Sequence, residues 1–313
     1  MKTVKQLFYF LFAVAVFASC NKVTYHKTAG GMPYQLYKGK GTQKIYAGNI
    51  VKYHVTLKVN DSLIYSSFGK LPAYIPVNQV GDPYDISEVW LKLKKGDSII
   101  ATQMMDTFIR RSPTTVNPRF KKGDRIVTTI KVIDIFQTDS AVTADEQKDK
   151  AKFLADEISV LEKYLASKNI KAEKTPSGAF VQITNPGTGN LIDSGKYVSV
   201  NYTGTTLDGK KFDSNTDSAF RHVGPYPFTV NAGQMIKGFD EAVRLMRQGA
   251  TAMVYVPSLL AYGGSPDPRG SIKPFENLVF DIAVVDVKDS APAIVPLRKQ
   301  NAEIKVDMPQ SHK

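Results

Sequence analysis

The sequence predicts an α+β protein: two copies of one domain, each a curved antiparallel β-sheet wrapped around a short α-helix, joined by a helical linker. Three observations carry this. The chain aligns with itself over most of its length at a nearly constant offset. The second aligned stretch alternates apolar and polar residues with period two, the pattern of half-buried strands, and holds one brief stretch of helical spacing. Between the copies lies a longer segment whose apolar residues recur every three or four positions.

An internal repeat constrains everything else and is sought first. An offset of 147 aligns Gly31 with Gly178, Gln35 with Gln182, Leu36 with Ile183, Gly48 with Gly195 and Val51 with Val198. It also aligns Thr56 with Thr203, Asp61 with Asp208 and Ser67 with Ser214. Gly96 meets Gly249 at 153, while Ile126-Val127 meets Leu278-Val279 and Asp134 meets Asp286 at 152. The second copy therefore carries an insertion in one loop. The copies are placed at 31–137 and 178–288.

From the amino terminus, Lys2 and Lys5 precede an apolar run from Leu7 to Ala18 that is too short to span a bilayer. It ends in Phe17-Ala18-Ser19-Cys20, which resembles a bacterial lipoprotein cleavage box, although Phe17 stands where leucine is usual. Residues 1–19 are read as a signal peptide and 20–30 as a tether. Cys20, the single cysteine, is the expected lipidation site, carrying palmitate-type acyl chains into the membrane. After the first domain comes a linker over 138–177. Thr143 and Glu146 have capping-box spacing and open a helix to Lys168, with Phe153, Leu154, Ile158, Leu161 and Leu165 on one stripe. That stripe needs a partner, either the chain's own domains or the same helix of a second copy in a dimer.

In the second domain Val198, Val200 and Tyr202 share one face of a strand, and Asp208-Gly209 marks the following turn. Further strands fall at Phe228 to Val230, Ala252 to Val256 and Leu278 to Val287. Phe239, Ala242, Val243 and Met246 have helical spacing, so a short helix must lie across one sheet face to bury them. The tail, 289–313, is polar.

The residues in these elements carry a specific resemblance. Val200-Asn201-Tyr202-Thr203-Gly204 and Leu207-Asp208-Gly209-Lys210-Lys211-Phe212-Asp213-Ser214 resemble the opening of FKBP-type peptidyl-prolyl cis-trans isomerase domains. So do Gln234-Met235-Ile236-Lys237-Gly238-Phe239, Ala261-Tyr262-Gly263 and Leu278-Val279-Phe280-Asp281, all in the family's order. The resemblance implies a catalytic pocket formed by Tyr202, Phe212, Asp213, Ile236, Phe239, Tyr262 and Phe280, with Tyr226, Met235 and Ile272 holding the substrate. Phe239 stands where many members have tryptophan, Tyr226 where phenylalanine is common, and Ser271-Ile272 keeps one of two frequent isoleucines.

These residue types suit the chemistry. Rotation about a peptide bond meets a barrier of about 18–20 kcal/mol from amide resonance. No bond is made or broken, so neither metal nor cofactor is called for. The twisted amide is less polar than the planar one, and an apolar aromatic pocket favours it, which is preferential binding of the transition state. The resemblance further implies that the Tyr262 hydroxyl and the Ile236 N–H hold carbonyl oxygens of the bound chain, and that Asp213 bonds Tyr202 and presents a fixed dipole.

In the first copy the same alignment puts Val55 for Tyr202, Tyr65 for Phe212, Ser66 for Asp213, Ile86 for Phe239 and Thr128 for Phe280, and the stretch from Met104 to Asp124 lacks tyrosine. That domain is read as degenerate. Two function classes are set aside on composition. The net charge of +12 comes from scattered lysines and arginines with no arginine-rich stripe threaded by aromatics, so no nucleic acid is expected. His26, His54, His222 and His312 lack metal-ligand spacing, so no metal is expected. Asp139-Ser140-Ala141 and Asp289-Ser290-Ala291 match a short O-glycosylation pattern of some envelope bacteria, or are plain linker. The expected function is isomerisation of X-Pro bonds in exported polypeptides as they fold, by a lipid-anchored protein of the cell envelope, periplasmic or at the outer membrane. The alternative is a proline-binding chaperone or adaptor without catalysis. A nutrient-binding lipoprotein is disfavoured, because the copies do not show a two-lobed α/β pattern.

Overall fold

The computed structural model describes residues 23–78, 83–111, 120–265 and 271–292. Cys20 and the apolar run before it, His312 and the tail beyond 292 lie outside these. The chain divides into two compact units, Met1–Phe153 and Leu154–Lys313.

Unit 1 contains β1 (Val23–Lys27), β2 (Pro33–Tyr37), β3 (Asn49–Val59), β4 (Ser62–Ser66), β5 (Ala73–Val77), a 3-10 turn (Ile86–Lys92), β6 (Ser98–Met104), α1 (Met105–Arg111) and β7 (Arg125–Phe136). Then α2 (Asp139–Ser167) crosses into unit 2. Unit 2 contains β8 (Glu173–Lys174), β9 (Phe180–Asn185), β10 (Tyr197–Thr206), β11 (Lys211–Ser214), β12 (Tyr226–Thr229), α3 (Lys237–Val243), β13 (Thr251–Val256), a 3-10 turn (Ser258–Leu260) and β14 (Leu278–Lys288). β1 and β8 fall in the stretches read from sequence as tether and linker.

The two sheets have the same topology. The first runs β1-β2-β6-β7-β3-β4 with β5 also on β3; the second runs β8-β9-β13-β14-β10-β11 with β12 also on β10. Adding seven to each strand number converts one into the other, and the pairings are antiparallel. The repeat is therefore a repeat of fold.

A carboxylate joint is duplicated as well. In unit 1 buried Glu88 accepts the Thr28 hydroxyl (2.6 Å), the Gly30 N–H (2.7 Å) and the Tyr84 N–H (2.8 Å). In unit 2 Glu241 accepts the Ser177 hydroxyl (2.6 Å) and N–H (3.1 Å), together with Thr175. Burial alone would raise both carboxyl pKa values, but these bonds outweigh it and hold both below the ordinary value.

One element departs from expectation. The sheet of unit 2 packs on an α-helix, but unit 1 has a 3-10 turn there. Asp85 accepts the Ser87 N–H at 2.8 Å, a local bond that favours a tight turn, whereas the N-cap of α3, Ile236, makes no side-chain bond. Trp90, Val89 and Leu93 still fill the core beneath.

The start of α2 also corrects the sequence reading. Thr138 supplies the cap: its Oγ1 accepts the Ala141 N–H at 3.3 Å and its carbonyl the Val142 N–H at 3.2 Å. Thr143 lies inside the helix, where its hydroxyl donates back to the Asp139 carbonyl. The Thr143–Glu146 capping box is not formed, because Thr138 followed by acidic Asp139 opens the helix first. The first half of α2 belongs to unit 1, where Lys52 pairs with Asp145 and Asp149, both at 2.6 Å, and Tyr74 donates to each. The second half belongs to unit 2: Ile158, Leu161, Tyr164 and Leu165 pack against Phe180, Tyr255 and Val279. Alternation along β13 separates the faces, with Ala252, Val254 and Val256 toward the core containing α3 and Tyr255 toward α2.

Candidate active site

The site of unit 2 is built where β10, β11 and β14 run side by side. Their register sets Gly204 opposite Asp213 on one side and Phe280 on the other. A Cβ at Gly204 would stand 2.5 Å from the Phe212 ring, so glycine is what lets that ring turn inward. A bulge in the β10–β11 pairing leaves Phe212 out of the ladder and buried, 2 % exposed. On α3, a Cβ at Gly238 would meet Val256 at 2.4 Å; the bare backbone lets the helix press onto β13 and carries Phe239 into the same core.

The rings form a connected edge-to-face cluster. Phe212 meets Phe280 at 5.7 Å, Phe280 meets Phe239 at 5.4 Å, and Phe239 meets Tyr202 at 6.0 Å, with interplanar angles of 85° to 89°. Each such pair contributes roughly 0.5–1.5 kcal/mol beyond burial. Tyr202 Oη donates to Asp213 Oδ2 at 2.9 Å. Burial first, and then Asp213, push the phenol pKa of Tyr202 well above its ordinary value, with smaller contributions from Tyr262 and Tyr226, so the hydroxyl remains a donor at neutral pH. Met235 and Ile236 pack on the core beside it, and Ile272 is buried within it. Ile236 is the N-cap of α3, in extended conformation. Tyr226 and Tyr262 are half exposed, at 42 % and 46 %. The structure thus brings the residues singled out in sequence to one side of unit 2, with buried phenylalanines as floor and half-exposed tyrosines above.

Three further residues belong to this place. Phe228, 1 % exposed, meets Phe239 at 6.1 Å and completes the floor; its alternation with exposed Tyr226 was the available signal. Asn215 accepts the Tyr202 N–H at 2.7 Å and donates to the carbonyls of Val200 and Gly224. It ties the loop after β11 back to β10. That closure delivers His222, whose Nδ1 donates to the Phe220 carbonyl at 2.8 Å and whose Nε2 lies 3.3 Å from Asp213 Oδ1 and 3.5 Å from Tyr202 Oη. Nothing in the spacing of His222 announces this, because only the folded loop makes the contact.

Unit 1 differs at every one of these points, and the structure revises the alignment. The β3–β4 hairpin turns on Asn60 and Asp61, both at positive φ (47° and 68°), and is one residue shorter than the β10–β11 hairpin. Ser67 takes the place of Asn215, its N–H donating to the Val55 carbonyl as that of Asn215 does to Tyr202. Ser66 then matches Ser214, Tyr65 matches Asp213, and Ile64 matches Phe212, so Tyr65 and Ser66 do not hold the positions assigned from sequence. Ile64 and Tyr65 are 58 % and 39 % exposed. Val55 and Thr128 do occupy the Tyr202 and Phe280 positions, opposite Ile130 and Leu57 as their counterparts lie opposite Ile282 and Gly204.

Residues 189–285 match the family model of FKBP-type peptidyl-prolyl cis-trans isomerases. Over 119 residues the chain is 42% identical to outer membrane protein MIP of Legionella longbeachae, covering 37% of this chain and 47% of that protein. It is 30% identical over 154 residues to the FKBP-type peptidyl-prolyl cis-trans isomerase FkpA of Escherichia coli strain K12, covering 49% of this chain and 53% of that protein. The crystal structure of FkpA from Escherichia coli aligns with a TM-score of 0.37 at 30% identity, over 49% of this chain and 68% of that one. The chain spans about half the length of these two curated relatives. Motif order and family model agree, and what they place in the FKBP-type peptidyl-prolyl cis-trans isomerase family is the segment 189–285.

Proposed function

We propose that unit 2 catalyses cis-trans isomerisation of X-Pro bonds in exported polypeptides as they fold at the cell envelope. The observation that carries this reading is the Tyr202–Asp213 hydrogen bond set against the edge-to-face cluster of Phe212, Phe239 and Phe280. The rings offer a proline side chain an apolar seat from which water is excluded, and a twisting amide, less polar than a planar one, is favoured there. Tyr202, Phe212, Asp213, Ile236, Phe239, Tyr262 and Phe280 are assigned to the reacting amide, and Tyr226, Met235 and Ile272 to the flanking chain. In this assignment Tyr262 Oη and the Ile236 N–H hold substrate carbonyls, while the Asp213–Tyr202 pair supplies a fixed dipole beside the rotating bond. Unit 1, with Val55 and Tyr65 at the positions of Tyr202 and Asp213, is assigned no isomerase chemistry.

Envelope location is supported by the name of the Legionella longbeachae relative, an outer membrane protein. Lipidation of Cys20 would provide the anchor, and Cys20→Ser should then release the exported protein from washed membranes. We assign α2 to packing within the chain rather than to a dimer, since Leu161 and Leu165 are already buried in unit 2. The full chain should accelerate cis-to-trans conversion of X-Pro peptides. Binding of those peptides with no rate above the spontaneous one would replace the enzyme by a proline-binding chaperone or adaptor.

A further inference from the structure

We propose that Glu157, on α2 and outside the family-matched segment, is a positioning residue for this reaction, setting the turn that carries Tyr262. The proposal rests on the isomerase reading above. Glu157 is 7 % exposed and sits among the apolar residues by which α2 packs on unit 2. Its Oε1 accepts the Ser258 N–H and its Oε2 the Leu259 N–H, both at 3.2 Å. These are the first residues of the 3-10 turn that leads to Tyr262.

Ser258 is the hub of that turn. Its N–H is also directed at Asn277 Oδ1 (2.9 Å), and its carbonyl accepts the N–H groups of both Ala261 (2.9 Å) and Gly263 (2.8 Å). Ala261 and Gly263 flank Tyr262. The backbone on each side of the tyrosine is thus bonded to one carbonyl, and the peptide group preceding Ser258 is held by the Glu157 carboxylate. Gly263 in turn accepts the Phe275 N–H at 2.7 Å, closing the loop on its far side. Tyr262 itself is 46 % exposed.

A carboxylate is a poor choice for this location on packing grounds alone. Burial raises its pKa, and the bonds from the Ser258 and Leu259 region offset only part of that. Leucine or methionine would extend the Ile158, Leu161, Leu165 contact at lower cost. What an apolar residue could not supply is a pair of acceptors for two adjacent backbone N–H groups. The linker helix therefore does more than join the units: it supplies the floor of the catalytic turn.

The test uses the full chain with Glu157→Gln, which keeps one acceptor oxygen, and Glu157→Ala, which keeps none, each alone and combined with Tyr262→Phe. Isomerisation kcat/KM, melting temperature and amide hydrogen exchange over 258–263 are measured together. If Glu157 acts through Tyr262, its loss cannot exceed loss of the hydroxyl's bond to substrate, about tenfold at most. Glu157→Ala should approach that limit, Glu157→Gln should fall between it and wild type, and neither should lower kcat/KM further once Tyr262 is phenylalanine. Exchange at 259–263 should quicken in order Gln, then Ala. An equal fold-loss in both backgrounds would mark a merely structural role and overturn the proposal. A wild type without activity would sink the isomerase reading itself, whereas unchanged exchange in Glu157→Ala and Glu157→Gln would sink the positioning role whatever the activity.

Discussion

Tyr202→Phe separates the two parts of the proposed mechanism, because it keeps the ring at 6.0 Å from Phe239 and removes the hydroxyl that donates to Asp213 and lies 3.5 Å from His222 Nε2. A hydrogen bond to a charged acceptor contributes about 1.5–3 kcal/mol. If all of that were realised only at the transition state, kcat/KM would fall by roughly 10- to 150-fold. The 2.9 Å bond joins two residues of the protein's own fold, however, so most of its energy is common to ground and transition states. Only the strengthening that accompanies amide rotation counts, and the expected loss is about tenfold or less. The assay is two-dimensional exchange spectroscopy or protease-coupled turnover on X-Pro peptides, with melting temperature confirming that the variant is folded. Residual catalysis should remain, since the phenylalanine floor is untouched. A folded variant with no activity above the spontaneous rate, in an enzyme with a bell-shaped pH profile, would indicate acid-base chemistry and refute the desolvation account.

Other expectations follow from the packing. Gly204→Ala places a Cβ 2.5 Å from the Phe212 ring, so it should lower stability by about 1–3 kcal/mol and reduce kcat/KM together, read by thermal melting and the same assay. Leu161→Ala empties a fully buried position on α2 and should destabilise unit 2 by about 2–5 kcal/mol, measured by denaturant titration, even though it lies outside the family-matched segment. Glu88 has a folded pKa below its unfolded one, so its stabilisation is present above the unfolded value and is lost as pH falls through the folded value. Melting of unit 1, followed by the fluorescence of Trp90, the single tryptophan, should therefore drop in acid, and Glu88→Gln should flatten that drop. An unchanged acid profile in Glu88→Gln would show that other carboxylates govern it.

Much of unit 2 was legible because its signals are local. Val198 and Val200 alternate and are both buried, and Gly209 takes the positive φ of 87° that an Asp-Gly turn requires. The ring cluster was legible because its residues sit in short motifs on neighbouring elements, so finding the motifs finds the cluster. What escaped detection depends on competition between near-equivalents. Ser66 and Ser67 are adjacent, and identity with Ser214 chose the wrong one; only the shorter Asn60–Asp61 turn decides between them. Thr138 and Thr143 are both plausible caps, and the first one reached by the helix is used. Glu157 was invisible for another reason: its partners are backbone N–H groups 101 and 102 residues away, and no side-chain pattern records them.

The duplicated carboxylate joint has a consequence for how this chain can be used. Glu88 and Glu241 fasten equivalent loops in units that share a strand order but not the Tyr202–Asp213 pair. The molecule therefore carries its own reference sample, with the same wiring present once beside the ring cluster of Phe212, Phe239 and Phe280 and once without it. Melting the two halves in one tube, under one solvent and at one concentration, would compare the cohesion of one strand order carrying two different interiors.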